Sequence, residues 1–460
     1  MARLALVLAL ALLLAAPAAR GATVSVNPAS DVRGNRVDEV RYLAAAGEVN
    51  RVTVSWSRTE GWVFEEAGAP LVAGSGCAGG GERVTCTTFA RDYGSVRLGD
   101  GDDDAVVRST GERPLTVTVL GDAGRDRLGD EGDERRSDFR TFAGGEGDDV
   151  LATTGGAGLR GEAGDDTLTG SPHPDWLQGG PGADELRGGG GPDALDPGRD
   201  SEADLVDGGA GSDRVDYVGD WQRPIPVSVD LSIPRGAPGD VLRSIEDAVG
   251  TYGRDVLVGS RGANSLSGYS GGDTLRGGAG DDDLSGGDGR DRIEGGPGDD
   301  RLLGEEERDA LFGGPGDDYL HDSSYDPGRT SCGTGRDVLV VHGGPTTPVP
   351  GDCERVRIQL GGLGTMNARP AIGGDAAAWS MLCTKFALAE GCRFTVVLRA
   401  GGRELGRRNG RIPRSARRTV RVRLGDAGRR FATRGGRLTV VISVTDVGVL
   451  RYGVAVPAAR

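Results

Sequence analysis

The chain has 460 residues, 83 of them glycine and only 5% aromatic, with a formal net charge of −15. That length exceeds what one hydrophobic core can organise and implies about two to four folded units. So much glycine with so few aromatics excludes an ordinary packed interior over much of the chain, leaving either disorder or stacked copies of one short segment.

The chain opens with MARLALVLALALLLAAPAARGA, which has one arginine, an apolar run from Leu4 to Ala16 and mostly small residues from Ala18 to Ala22. The run is too short for a membrane anchor and a small-residue cleavage site follows, so 1–22 reads as a secretory signal and the protein as secreted. No later stretch reaches about 18 apolar residues, so the mature chain is not expected to span a membrane.

Residues 23–95 read as a small β-domain: in NRVTVSW, Val52, Val54 and Trp56 share one strand face, and Cys77 and Cys86 close the segment. Residues 96–141 read as a degenerate repeat or linker, with one repeat-like outlier, GDAGRDRL, from Gly121.

Two blocks of repeats follow. The first, 142–215, holds GGEGDDVL from Gly144, GEAGDDTL from Gly161, GSPHPDWL from Gly170, GGPGADEL from Gly179, GGGGPDAL from Gly188 and GGAGSDRV from Gly208. Its nine-residue step slips near Gly155 and again between Pro197 and Ala203. The second block, 250–340, runs without a gap through eight units from GTYGRDVL at Gly250 to GGPGDDYL at Gly313. Between them, 216–249 reads as a connector, with Ile225, Val227, Val229, Leu231 and Ile233 alternating as in a strand.

In each unit the apolar residue near the end, such as Leu275, Leu284, Ile293 or Leu302, sits on a short strand and points inward. The GGxGxD portion is a turn whose glycines leave peptide carbonyls facing the neighbouring turn. Calcium takes about six to eight hard oxygen ligands, which carbonyls and aspartates supply. The metal-ligand candidates are therefore Asp149, Asp166, Asp184, Asp193, Asp213, Asp255, Asp273, Asp282, Asp291, Asp300, Asp309 and Asp318. Turn glycines accompany them at Gly277, Gly280, Gly295, Gly298, Gly313 and Gly316.

Two units make one coil, so Asp255, Asp273, Asp291 and Asp309 should stack along one edge, and Asn264, Asp282, Asp300 and Asp318 along the other. At a coil spacing of about 4.8 Å two carboxylates repel by about 3–4 kcal/mol at an effective dielectric near 20. The stack is therefore expected to need a divalent cation, with binding free energy becoming folding free energy. Asn264 and the GEEER turn from Gly304 depart from the pattern, and the edge of Asp282, Asp300 and Asp318 matches it best. Asp300→Ala should thus weaken a calcium response more than Asp255→Ala.

The nonapeptide GGxGxDxUx, with U apolar, is already known as a mark of calcium-binding parallel β-helices. These units resemble the RTX, or haemolysin-type, repeats of secreted bacterial proteins, over roughly residues 142–340. The resemblance implies a parallel β-roll that binds one calcium ion between successive turns on each edge. The connector also resembles the one found between repeat blocks in bacterial relatives. The N-terminal segment resembles modules that accompany such repeats in actinobacterial secreted proteins.

Residues 341–360 read as a linker with a disulfide, and 361–460 as a basic β-sandwich domain built from runs such as RFTVVLR, RTVRVRL and RLTVVISV. Six cysteines allow 15 pairings; proximity favours Cys77 with Cys86, Cys332 with Cys353, and Cys383 with Cys392. Charge is divided along the chain: 141–340 has 41 acids against 16 arginines, whereas 361–460 has 19 bases against 5 acids. The acidic block favours cations over nucleic acid, and the sparse aromatics give no base-stacking platform. In the strand near Arg418, Arg421 and Arg423 face away from Val420, Val422 and Leu424, a face suited to anionic polysaccharide or cell envelope.

His173, His321 and His342 form no H-E-x-x-H motif, and no G-x-S-x-G elbow appears, so a non-enzymatic role is expected. The whole reads as an all-β protein: a central parallel β-roll between a small β-domain and a β-sandwich-like domain. It is expected to bind several calcium ions and to serve a structural or matrix role. The alternatives are a calcium-dependent polysaccharide-active enzyme or a cell-surface adhesin.

Overall fold

A computed structural model describes residues 21–30, 36–87, 93–109, 116–132, 139–219, most of 222–323, 329–342 and, at the level of strands, most of 352–456. The signal-like residues 1–20 and Cys383 lie outside the described residues. All helix and strand structure described is β, and no described helix is long and apolar enough to cross a membrane. The chain divides into two compact units, 1–180 and 181–460.

In the first unit, Tyr93–Asp100, Thr116–Ala123, Phe139–Glu146, Gly158–Ala163 and Trp176–Gln178 stack in parallel along one face. Asp104–Ser109, Arg127–Gly132, Val150–Ala152 and Thr167–Thr169 stack along another. The stretch 96–141 thus contributes ordered rungs. Gly94 pairs with Val117 and Thr116 with Phe139, steps of 23 residues, whereas Thr141 pairs with Gly158 and Gly158 with Trp176, steps of 17 and 18. The longer step hides the nine-residue register from a sequence scan.

Arg36–Leu43 and Arg51–Ser57 lie parallel on Tyr93–Asp100 and Asp104–Ser109, so the N-terminal segment also supplies the first rung of the stack. Antiparallel strands complete that segment, with Arg51–Ser57 paired to Gly61–Glu66 and Gly61–Glu66 to Arg83–Cys86. Cys77 and Cys86 are bridged.

The second unit repeats the plan. Val256–Val258, Thr274–Arg276, Arg292–Glu294, Ala310–Pro315 and Thr330–Thr334 form one parallel face. Ser265–Ser267, Asp283–Gly289, Arg301–Glu306, Tyr319–Asp322 and Val338–His342 form the other. Identical positions meet in each rung, so Leu257, Leu275, Ile293 and Leu311 make one buried column and Leu266, Leu284, Leu302 and Leu320 a second. Each such side chain contributes about 2 kcal/mol of apolar burial, and together the columns replace a conventional core.

The connector departs from expectation. Its alternating run from Ile225 to Ile233 forms only the strand Ser228–Asp230, with Val227 and Val229 buried but Ile225 and Ile233 exposed. The chain turns at Leu231–Ile233, so alternation overstated the strand.

Beyond the roll, Arg355–Leu360 continues the parallel stack on Val338–His342. A bridge joins Cys332 to Cys353. Two antiparallel sheets follow, one containing Ala376–Leu382 and Arg417–Arg423, the other ordering Arg403–Ile412, Cys392–Ala400, Gly436–Val444 and Gly448–Val456. The side chains of Val420, Arg421, Val422, Arg423 and Leu424, on which the basic-face expectation rests, are outside the described residues, as is the Cys383–Cys392 pair.

Candidate metal centre

The last residue of each GGxGxD turn is buried. Asp255, Asp273, Asp282, Asp291, Asp300, Asp309 and Asp318 are all 3% exposed or less, as are Asp149, Asp166, Asp184, Asp193 and Asp213. Burying a carboxylate is costly unless its oxygens find partners.

One oxygen does. The backbone N–H of each aspartate donates to Oδ1 of the equivalent aspartate one coil on: Asp255 to Asp273 and Asp273 to Asp291 at 2.8 Å, and Asp291 to Asp309 at 3.0 Å. On the second edge Asn264 donates to Asp282 at 2.8 Å, and Asp282 to Asp300 and Asp300 to Asp318 at 2.9 Å. The edge assignment read from the nine-residue step is therefore the one observed. Asp318 in turn donates to Asp337, in a turn that replaces the first glycine by Cys332 but keeps Gly333 and Gly335.

The same ladder extends outside the regular repeats. In the first unit Asn50 donates to Asp103, Asp103 to Asp126, Asp126 to Asp149 and Asp149 to Asp166, at 2.6–2.8 Å. In the second, Asp184 donates to Asp204, Asp204 to Asp240, and Asp193 to Asp213. The ligand candidates read from the sequence omitted Asp103, Asp126, Asp204, Asp240 and Asp337, although Asp126 lies in the repeat-like GDAGRDRL from Gly121. The turn Gly99-Asp100-Gly101-Asp102-Asp103 was the available signal for the first, since it keeps the second and fourth glycines.

The interposed N–H also corrects the electrostatic expectation. Successive carboxylates do not face each other bare, and burial outranks their mutual repulsion. Desolvation is the leading cause that pushes Asp282, Asp291 and Asp318 up to about 6, Asp300 to about 7, and Asp273 and Asp309 to about 8. Asp126 and Asp149 rise likewise, to about 7 and about 6, and Asp204 to about 8.

The second oxygen, Oδ2, is buried without a hydrogen-bond partner in Asp103, Asp126, Asp149, Asp213, Asp273, Asp282, Asp291, Asp300, Asp309 and Asp318. It lies against the first glycine of its own turn: a Cβ on Gly277, Gly295 or Gly313 would fall 2.2–2.4 Å from Oδ2 of Asp282, Asp300 or Asp318. The second and fourth positions adopt left-handed backbone, for example Gly278, Gly280, Gly298 and Gly316 at φ of 113°, 114°, 147° and 148°. This packs each turn onto the carbonyls of the one before; a Cβ on Gly298 would lie 2.0 Å from the Gly280 oxygen. The GEEER turn keeps that conformation with Glu305 at 66° and Glu307 at 69°, so the missing glycine does not change its shape.

These residues fit a hard divalent cation: an orphaned buried carboxylate oxygen in register with close-packed turn carbonyls is the donor set calcium takes. Among the described residues no three His, Cys, Asp or Glu side chains cluster to hold a metal, so main-chain oxygens have to supply much of any coordination. Asp255, Asp175 and Asn264 differ from the rest, because their side-chain oxygens are held within their own turns.

A family model of the RTX calcium-binding nonapeptide repeat matches four copies, at residues 160–195, 200–217, 249–284 and 285–320. Those stretches are RTX-type calcium-binding repeats. The matches leave residues 1–159 and 321–460 uncovered. No curated protein matches the chain.

Proposed function

We propose that this RTX-repeat protein is exported and takes up several calcium ions along the edges of its roll, where they drive folding in a structural or surface role. The carrying observation is the register of buried, partnerless Oδ2 atoms on both edges. Asp149, Asp166, Asp184, Asp193, Asp213, Asp273, Asp282, Asp291, Asp300, Asp309 and Asp318 supply carboxylate oxygen, and Asp103 and Asp126 extend the set. The turns containing Gly277, Gly280, Gly295, Gly298, Gly313 and Gly316 supply carbonyls. A bound divalent ion would neutralise carboxylates whose charged form burial disfavours.

Two cysteine bridges and the signal-like N-terminus support an oxidising, extracellular setting. The arginine-rich C-terminal segment supports contact with anionic polysaccharide or envelope. Calorimetric titration of the full chain with calcium, followed by far-ultraviolet circular dichroism, tests the reading. Saturable uptake with a gain of β signal is expected; no uptake and no spectral change would refute it.

A further inference from the structure

The turns are of two kinds, and their second residue separates them. In the open kind that residue is left-handed: Gly145, Gly278, Gly287, Gly296 and Gly314, and equally Asp122 at 73°, Glu162 at 80°, Tyr269 at 73° and Glu305 at 66°. A left-handed second residue turns its N–H away from the aspartate and into the ladder, as Gly278 N–H donates to the Gly295 carbonyl at 3.0 Å and Gly296 to Gly313 at 2.9 Å.

In the closed kind the second residue is serine or threonine and is not left-handed. Its N–H turns inward to the carboxylate. Thr251 N–H donates to Asp255 Oδ2 at 2.5 Å, and Ser171 N–H to Asp175 Oδ2 at 2.6 Å. Ser260 N–H donates to Asn264 Oδ1 at 2.6 Å. The hydroxyls repeat the contact to Oδ2, Ser171 to Asp175 at 2.8 Å and Thr251 to Asp255 at 3.1 Å, as short polar side chains do in local turns. Each hydroxyl also accepts from the N–H two residues on, at Gly253, Gly262 and His173. The oxygen that is orphaned in an open turn is therefore doubly bonded here, and Asn264 carries no charge to neutralise.

Thr251 and Ser260 belong to one coil, 250–267, so that coil is closed on both edges. Its strands Val256–Val258 and Ser265–Ser267 are the rungs against which the open coils from Gly268 onward stack.

We infer that the second turn residue decides whether a turn takes calcium, and that coil 250–267, closed by Thr251 and Ser260, is a metal-independent seed on which the calcium-taking coils 268–337 stack. The metal half of this rests on the calcium reading above; the seed half does not.

The test is hydrogen exchange of the full chain in excess chelator and in excess calcium, with calcium uptake measured by equilibrium dialysis. In chelator, amides of 251–264 should exchange at least about tenfold more slowly than those of 277–282 and 295–300, as the additional bonds per turn imply. Calcium should slow the second group and leave the first unchanged. The double variant Thr251→Gly/Ser260→Gly should lose the slow exchange in chelator and take up more calcium than wild type, whereas Thr251→Ser should behave as wild type.

Equal exchange of the two groups in chelator overturns the seed, whether or not the variants fold. Unchanged uptake by a folded double variant overturns the switch. If no version of the chain takes up calcium, the functional reading fails, while the exchange contrast in chelator still judges the closed coil.

Discussion

Replacing Asp300 by asparagine should stabilise the roll in chelator and destabilise it in calcium. Asp300 is 2% exposed, accepts the Asp282 N–H through Oδ1 and leaves Oδ2 without a partner. Burial pushes its carboxyl from an ordinary value near 3.8 up to about 7, which at full strength corresponds to about 4 kcal/mol of unfavourable charge burial at alkaline pH. Solvent at the edge of the roll screens part of this, so about 1–2 kcal/mol is the expected gain on removing the charge at pH 8 in chelator. Asparagine keeps a side-chain oxygen that can accept the Asp282 N–H in place of Asp300 Oδ1. With calcium present the variant loses an anionic ligand, which should weaken uptake at that turn at least about tenfold, or about 1.4 kcal/mol. Urea unfolding of the full chain, followed by circular dichroism in each condition, reads both signs. A loss of equal size in chelator and in calcium would mean that Asp300 serves only as a hydrogen-bond acceptor, and the reasoning would fail.

Acid should substitute in part for calcium. Folded-state values of about 6–8 lie above the ordinary carboxylate value, so the metal-free fold retains protons that the unfolded chain has released. Stability in chelator should therefore fall as pH rises from about 4 to about 8, and a thermal melt series that rises with pH would contradict this. Glu307→Gly should stabilise the GEEER turn by about 1 kcal/mol, since Glu307 sits at φ 69° and its contact with Arg290 is exposed; an unchanged unfolding midpoint would count against left-handed strain there. Leu302→Ala, in a fully buried column, should lose about 2–5 kcal/mol in calcium and chelator alike, measured by urea unfolding.

The nonapeptide determined much of this protein directly. A period of nine with one apolar residue per unit fixes which side chains point inward, and two units per coil fix which aspartates share an edge, because both follow from strand alternation and chain length alone. Asp282, Asp300 and Asp318 could therefore be placed on one edge from their numbers. The rungs between 93 and 132 could not, because a coil of 23 residues breaks the register while still returning Asp103, Asp126 and Asp149 to the same column. Alternation likewise overstated the connector strand, where Ile225 and Ile233 face solvent.

What only the tertiary structure decided is how each carboxylate is satisfied. Asp255 and Asp273 occupy equivalent places in the sequence pattern, yet Thr251 fills the second oxygen of one while the second oxygen of the other, behind a left-handed Tyr269, is left without a partner. That difference lies in the sign of one backbone angle and in contacts between successive coils, and hydrogen-bond partners brought together from 18 residues away become visible only once the chain is wound.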